Sequence, residues 1–323
     1  MSEVVATRAS TLCFASIGEC MVEMVPAETP GTYRMGFAGD TFNTAWYAKA
    51  LRPDWHVRYV SRVGTDAASD ALVQTIKQAG IDTTHIGRDA ARSVGLYLIS
   101  LNNGERSFSY WRDRSAARLL ADDAECLAAS VQDADVIYLS GITLAILTED
   151  TRQTVFSVLK DARAQGKIIV FDSNLRPRLW DTADQMRRAV MRAAQISDIA
   201  LPSFEDDAAA FGDASIQATA GRYGDAGAAT VVVKNGPGEV CFLHQGQFGT
   251  VQLPTAPRIV DTTSAGDSFN AAFLAGLDSD QPIRTRISKA AEIATQVIGQ
   301  KGALVPLDLG GWSGAQPNPG APA

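Results

Sequence analysis

Residues 136–141 read VIYLSG, 168–174 IIVFDSN, 198–203 DIALPS and 230–236 TVVVKNG; helical patterns lie between them, near 148–165, near 181–196 and in a short piece after 203. Runs this apolar suit strands covered on both faces, and a helix between consecutive strands makes each connection a crossover to a parallel neighbour. The stretch therefore predicts an α/β fold: a doubly wound, mostly parallel sheet with helices on both faces. Ligands of such sheets bind beyond the carboxyl ends of the strands. That places Gly141, the run Asp172 to Arg176, Ser203 to Asp206 and Lys234 to Gly238 along one rim.

Towards the amino terminus the rhythm differs. Leu12 to Ile17 reads as a strand ending at Gly18, and alternation through Glu19, Met21, Glu23 and Met24 continues it as extended chain. A glycine-rich turn is expected from Gly36 to Gly39, a helix from Thr41 to Leu51, and an amphipathic helix from Ala67 to Ala79 closed by Gly80. Ser93 to Tyr110 alternates about Asn102-Asn103-Gly104. Asn-Gly is a strong hairpin signal, so a two-stranded ribbon is expected outside the α/β repeat.

Composition narrows the classes of function. Of 323 residues, 46% are hydrophobic and 20% charged, the make-up of a globular protein with a full core. No apolar run approaches the roughly 18 residues of a membrane span. The opening MSEVVATRAS lacks the cationic then apolar layout of a signal peptide, so a cytoplasmic protein is expected. With 29 basic and 36 acidic residues, no general field attracts polyanions; neither nucleic acid nor membrane is expected as a partner. Cys13, Cys20, Cys126 and Cys241 have no CxxC spacing, and free, buried thiols are expected. The end, GAQPNPGAPA, has the composition of a disordered tail.

Residues 261–273, DTTSAGDSFNAAF, run from small residues into a helix whose apolar positions Phe269, Ala272 and Phe273 suit burial. The loop thus feeds a helix amino terminus. Unpaired N–H groups at Ala265, Gly266 and Asp267, with the helix dipole, make an anion site there. On this motif alone, Asp267 is equally well read as a carboxylate that favours the dipole.

A second segment, Ala38-Gly39-Asp40-Thr41-Phe42-Asn43 followed by Gly64, decides between these readings, because the two motifs in this order resemble the signatures of the ribokinase-like (PfkB) family of sugar kinases. IGECMVEM (17–24), GLYLIS (95–100), YWRDRSAA (110–117), YLSGITLAIL (138–147) and FDSNLRPRLW (171–180) extend the likeness over about residues 12–306, leaving 307–323 as a tail. The resemblance implies a small β-sheet lid from about 21–34 and 93–112. It also implies Asp267 as general base, with Ser264, Ala265 and Gly266 forming the anion hole. Gly39, Asp40, Asn43, Tyr97, Tyr110, Arg112 and Arg176 would hold the sugar, and Asn174, Ser203, Lys234, Gly236 and Gly238 would hold ATP. Asp206 stands where the family has a Glu that organises Mg²⁺ through water, with Glu205 as an alternative; K⁺ is a further cofactor the family allows. Ser264 stands where the loop usually begins with Gly, which argues against a positive φ. A homo-oligomer is the expected assembly.

Two arginines, Arg112 after a pair of aromatics and Arg176 after Asp172-Ser173-Asn174, favour an anionic sugar, because a carboxylate entering a dry pocket needs a charged partner. The substrate expected from the likeness is a sugar acid of the 2-keto-3-deoxygluconate type, phosphorylated at its terminal C6 hydroxyl. A fructokinase and a 5-dehydro-2-deoxygluconate kinase are the alternatives. A nicotinamide oxidoreductase would want G-x-G-x-x-G after the first strand, which IGECMVEM lacks. A non-catalytic sugar sensor would not need Asp267.

Overall fold

The structure is a computed structural model and describes residues 11–102, 105–310 and 312; most of the expected turn at 102–104 and the Pro- and Gly-rich tail lie outside the described residues. The chain opens with β1 (Cys13–Ile17), β2 (Met21–Pro26), β3 (Tyr33–Ala38), α1 (Asp40–Leu51), β4 (His56–Val63), α2 (Ala67–Gln78) and β5 (Ile86–Arg88). The ribbon follows as β6 (Leu96–Asn102) and β7 (Glu105–Trp111), then α3 (Ala124–Val131). From there strand and helix alternate: β8 (Val136–Ser140), α4 (Gly141–Ala145), α5 (Glu149–Ala164), β9 (Ile168–Asp172), α6 (Ala183–Ile196) and β10 (Ile199–Ala200). Next come α7 (Phe204–Phe211), α8 (Ile216–Ala226), β11 (Thr230–Val233), the hairpin β12 (Val240–His244) and β13 (Gln247–Val251), and finally α9 (Ala265–Leu274) and α10 (Ile283–Ile298).

Nine strands form one sheet in the order β13-β12-β11-β10-β9-β8-β1-β4-β5, parallel except at the β11–β12 and β12–β13 pairs. Strand alternation divides the core. Cys13, Ala15, Ile17, Ile137, Leu139 and Phe171 pack on one face with α3, α5, α6 and α8; Phe14, Val136, Tyr138 and Val170 pack on the other with α1, α2, α9 and α10. The chain leaves β1 for β4 on one side and reaches β8 on the other, so the order reverses at β1, where such sheets bind ligands.

The second sheet, β3-β2-β6-β7, confirms a separate lid. Its inner face carries Met21, Ala38, Tyr97 and Ile99 in a small cluster with Ala303. The expected turn at Gly36–Gly39 is not there: Gly36 lies within β3, which pairs with β2 as far as Met21↔Ala38, because the alternating side chains of Tyr33 to Phe37 give this segment a strand partner. Gly39 is required for another reason. A Cβ on it would stand 2.2 Å from the backbone oxygen of Glu19, so only glycine lets α1 start against the connection between β1 and β2. Cys13, Cys20 and Cys241 are buried as expected, but Cys126 is exposed, because it sits in the first turn of α3 beside the N-cap Asp123, on the side turned from the core.

Candidate active site

The site is assembled where α9 begins. Ser264 is its N-cap and adopts φ 60°, ψ 14°, in the left-handed region, so the expectation of a negative φ is overturned. The cost of about 1–3 kcal/mol for such a conformation is met locally: Ser264 Oγ accepts a 2.8 Å hydrogen bond from Asn43 Nδ2. No side chain caps the helix: the Ala265 N–H donates to the Thr262 oxygen at 3.2 Å, and the next N–H groups, of Gly266 and Asp267, point to where a ligand would lie. Space stands open above Gly266, where a Cβ would meet only Lys234 Nζ, at 3.7 Å.

Asp267 sits in the first turn with only 9% of its surface exposed, although every residue from it to Leu274 is buried. A carboxylate within a helix buried all round needs partners. Asn43 Nδ2 donates to Asp267 Oδ2 at 2.8 Å, and Thr44 Oγ1 to its backbone oxygen at 3.4 Å. Burial, then the negative charge of Asp40, push its carboxyl up to about 7; Asn43 and Lys234 oppose the rise and Asp172 adds to it. Asp40 is also raised, by burial, and is held down by hydrogen bonds from Ser140 and Asn174.

Beneath the helix start lies a buried polar network. Lys234 Nζ, at the end of β11, donates to Asp172 Oδ1 at 3.1 Å and Asn270 Oδ1 at 3.0 Å. Asn270 Nδ2 donates to Asp172 Oδ2 at 2.8 Å and to Tyr138 Oη at 3.1 Å. Lys234 thus brings a positive charge to the open space over Gly266. Sequence reasoning put Asp172 on the rim without a role and missed Asn270, which the spacing could have shown: it follows Asp267 by three residues, on the same helix face.

The other expected residues divide into those the fold brings to this centre and those it does not. Gly39 and Asp40 border it, and Asp40 Oδ2 accepts from Asn174 Nδ2 at 2.7 Å, so the Asn174 amide faces Asp40 along the rim. Ser203 stands at the N-cap position of α7 without a side-chain cap bond and forms a parallel bridge with Lys234. Gly236 and Gly238 follow in the turn after β11, Gly236 with a φ of 49° and nothing near a built Cβ. On the lid, Tyr97 Oη donates to Glu23 Oε1 at 2.5 Å and its ring lies 5.8 Å from that of Tyr110, which is half exposed.

The arginines stand apart. Arg112 is buried and its Nη2 forms a short contact with Glu19 Oε2, a partner the sequence reading missed; Arg112 Nε and Glu19 Oε1 are buried without a hydrogen-bond partner. Arg176 keeps half of its side chain exposed and lies 3.7 Å from Asp206, whose carboxyl is raised by burial against the opposing pull of Arg176. Among the described residues no group of three or more His, Cys, Asp or Glu could hold a metal ion.

Several known proteins share this architecture. The model of the pfkB family carbohydrate kinases matches residues 14–309. A 2-dehydro-3-deoxygluconokinase of Dickeya dadantii is 35% identical over 308 residues, covering 93% of this chain and 98% of that protein. One from Haemophilus influenzae is 37% identical over 298 residues, covering 90% and 95%. The crystal structure of a PfkB protein from Polaromonas sp. JS666 superposes with a TM-score of 0.79 at 26% identity, over 90% of this chain and 96% of that one. No described helix is long and apolar enough to cross a membrane. With the family model spanning both motifs, the lid and the whole sheet, the chain belongs to the pfkB family of carbohydrate kinases.

Proposed function

We propose that the chain transfers the γ-phosphoryl group of ATP to the C6 hydroxyl of 2-keto-3-deoxy-D-gluconate, giving 2-keto-3-deoxy-6-phosphogluconate. The observation that carries this reading is full-length similarity to enzymes of that name, together with a buried carboxylate at an uncapped helix start.

Phosphoryl transfer asks a protein mainly for positioning and charge stabilisation. Asp267 takes the proton of the attacking hydroxyl, and its elevated carboxyl suits a base working near neutral pH. The N–H groups at Ser264, Ala265 and Gly266 receive the charge developing on the phosphoryl oxygens, that of Ala265 exchanging its bond to the Thr262 oxygen for the ligand, with Lys234 beside them. Asn174, Ser203, Lys234, Gly236 and Gly238 bound the groove for the nucleotide. Gly39, Asp40, Asn43 and Tyr97 surround the sugar, with Tyr110 at the lid edge and Arg112 and Arg176 facing its acid end. Mg²⁺ in kinases takes most of its oxygens from phosphate and water and one or two from carboxylates. The rim carboxylate of Asp206, with Glu205 as the alternative, fits that need; omission of Mg²⁺ or K⁺ from the assay tests both ions, and sizing of the protein tests the expected homo-oligomer.

A neutral sugar, as for a fructokinase, is the second reading, favoured by one observation: Glu19 already neutralises Arg112. The experiment is kcat/KM with ATP for 2-keto-3-deoxygluconate, its galactonate epimer, fructose and ribose. The acid is expected to lead; a higher value for fructose or ribose would overturn the assignment.

A further inference from the structure

We propose that Asp207, on the inner side of α7, is a positioning residue for the kinase: through Ser173 it holds the rim loop 172–176 in the conformation that presents Asn174 and Arg176. This rests on the reading that those two residues meet the nucleotide and the acid.

Asp207 is fully buried, and each of its oxygens is occupied. Oδ2 accepts from Ser173 Oγ at 2.7 Å; Oδ1 accepts from Arg222 Nη2 at 2.9 Å and from Tyr223 Oη at 2.8 Å. Arg222 is itself anchored on α8, by Asp213 Oδ2 at 2.6 Å and by stacking over Phe211 at 3.7 Å. The carboxylate is therefore fixed from the α7–α8 side, and Ser173 is the only one of its three partners that belongs to the rim.

The rim loop needs such a fastening. Asn174 has a φ of 27°, a conformation that costs a residue with a Cβ energy and persists only when the surroundings impose it. Ser173 precedes it, and its backbone oxygen is pressed against Gly141, where a Cβ would stand 1.9 Å away. The loop is thus held at the backbone by Gly141, at the Ser173 side chain by Asp207 and at the Asn174 side chain by Asp40. Two adjacent carboxylates of α7 divide the work: Asp206 lies within 3.7 Å of Arg176 at the surface, and Asp207 turns inward to the loop that carries it.

The test uses the full-length protein with ATP and 2-keto-3-deoxygluconate. Ser173→Ala removes the fastening and leaves Asp207 bonded to Arg222 and Tyr223. It is expected to lower the melting temperature, because Asp207 Oδ2 is left buried without a partner, while the protein stays folded at the assay temperature, and to raise KM for one or both substrates about tenfold, the effect of one lost hydrogen bond to a charged group. The kcat value is expected to change less than about threefold, as for lost binding shared by ground and transition states. Asp207→Asn should raise KM in the same direction. The double variant should be no worse in KM than Asp207→Asn alone, because both act through one contact. Unchanged KM values in Ser173→Ala would overturn the proposal, as would KM effects in the double variant that add. Asn174→Ala and Arg176→Ala serve as separate controls: if neither moves KM, the assignment of the rim fails, whereas if they move it and Ser173→Ala does not, only the role of Asp207 fails.

Discussion

The sheet rim and the lid each carry an arginine that was expected to meet a sugar acid, and the two are held in opposite ways. Arg112, at the foot of the lid, is buried to 6% exposure and neutralised by Glu19, itself only 2% exposed. Arg176, on the rim, keeps half of its side chain in solvent with Asp206 3.7 Å away. The difference shows that an arginine near a site is not yet a charge available to a ligand. A buried pair has already exchanged its hydration for a partner, whereas an exposed arginine loses its hydration only when the ligand arrives. The same contrast runs through the two regions: the rim's buried groups form a closed network from Lys234 to Tyr138, and the lid presents Tyr33, Met35, Tyr110 and Trp111 to solvent.

The largest expected effect belongs to the rim alone. Asp267→Asn should lower kcat by about 10²- to 10⁴-fold with substrate binding close to normal, as for loss of a general base. A variant with the parent's kcat would remove Asp267 from the reaction. The parent's kcat/KM should fall about tenfold per pH unit below about 7, because only the ionised carboxylate accepts the proton. Stability runs the other way. The folded carboxyl holds its proton up to about 7 while the unfolded one releases it near the ordinary 3.8, so this group's contribution is full below that value and is lost as pH rises through 7. Asp267→Asn should therefore gain melting temperature relative to the parent at pH 8 and not at pH 4; equal offsets at the two pH values would contradict the raised carboxyl.

The arginine comparison is sharpened next by stability. Arg112→Ala leaves Glu19 buried without its partner and should cost about 3–5 kcal/mol in denaturant unfolding, whereas Arg176→Ala should cost about 1 kcal/mol or less, as for an exposed pair. Similar losses in both would erase the distinction. In catalysis, Arg176→Ala should weaken kcat/KM for the acid by roughly 10- to 150-fold, at 1.5–3 kcal/mol for a charge-assisted hydrogen bond. Fructose should be much less affected, and Arg176→Lys should recover part of the loss, keeping the charge without the planar fork. An equal factor on both sugars would mean that Arg176 holds phosphate or the loop.

The smallest effect concerns the lid's motion. Closure over the sugar should increase amide protection along Leu96–Asn102 and Glu105–Trp111 when the acid is bound, measured by hydrogen exchange. Equal protection with and without it would make the lid a rigid wall.

What the sequence determined by itself is the part of the molecule that repeats a local rule. Runs such as VIYLSG and TVVVKNG are apolar on both faces and separated by helices, so a mostly parallel sheet with its rim was legible, and the alternation about Asn-Gly marked a ribbon outside the repeat, whereas the lid came from the family resemblance. Asp267 stood out at the junction of small residues and a buried helix, but that motif alone left its role open, and only the resemblance carried by the second motif implied a general base. What the tertiary structure alone decided is which partner each buried charge takes. Glu19 and Arg112 are 93 residues apart, Lys234 and Asp172 are 62, and Asp207 meets Ser173 across 34. No local pattern encodes such pairs; they follow from which strand ends the sheet brings together and from the cost of leaving a buried charge alone. Ser264 belongs with them. Its left-handed φ contradicts local preference and stands because Asn43, from 221 residues earlier, is there to bond it.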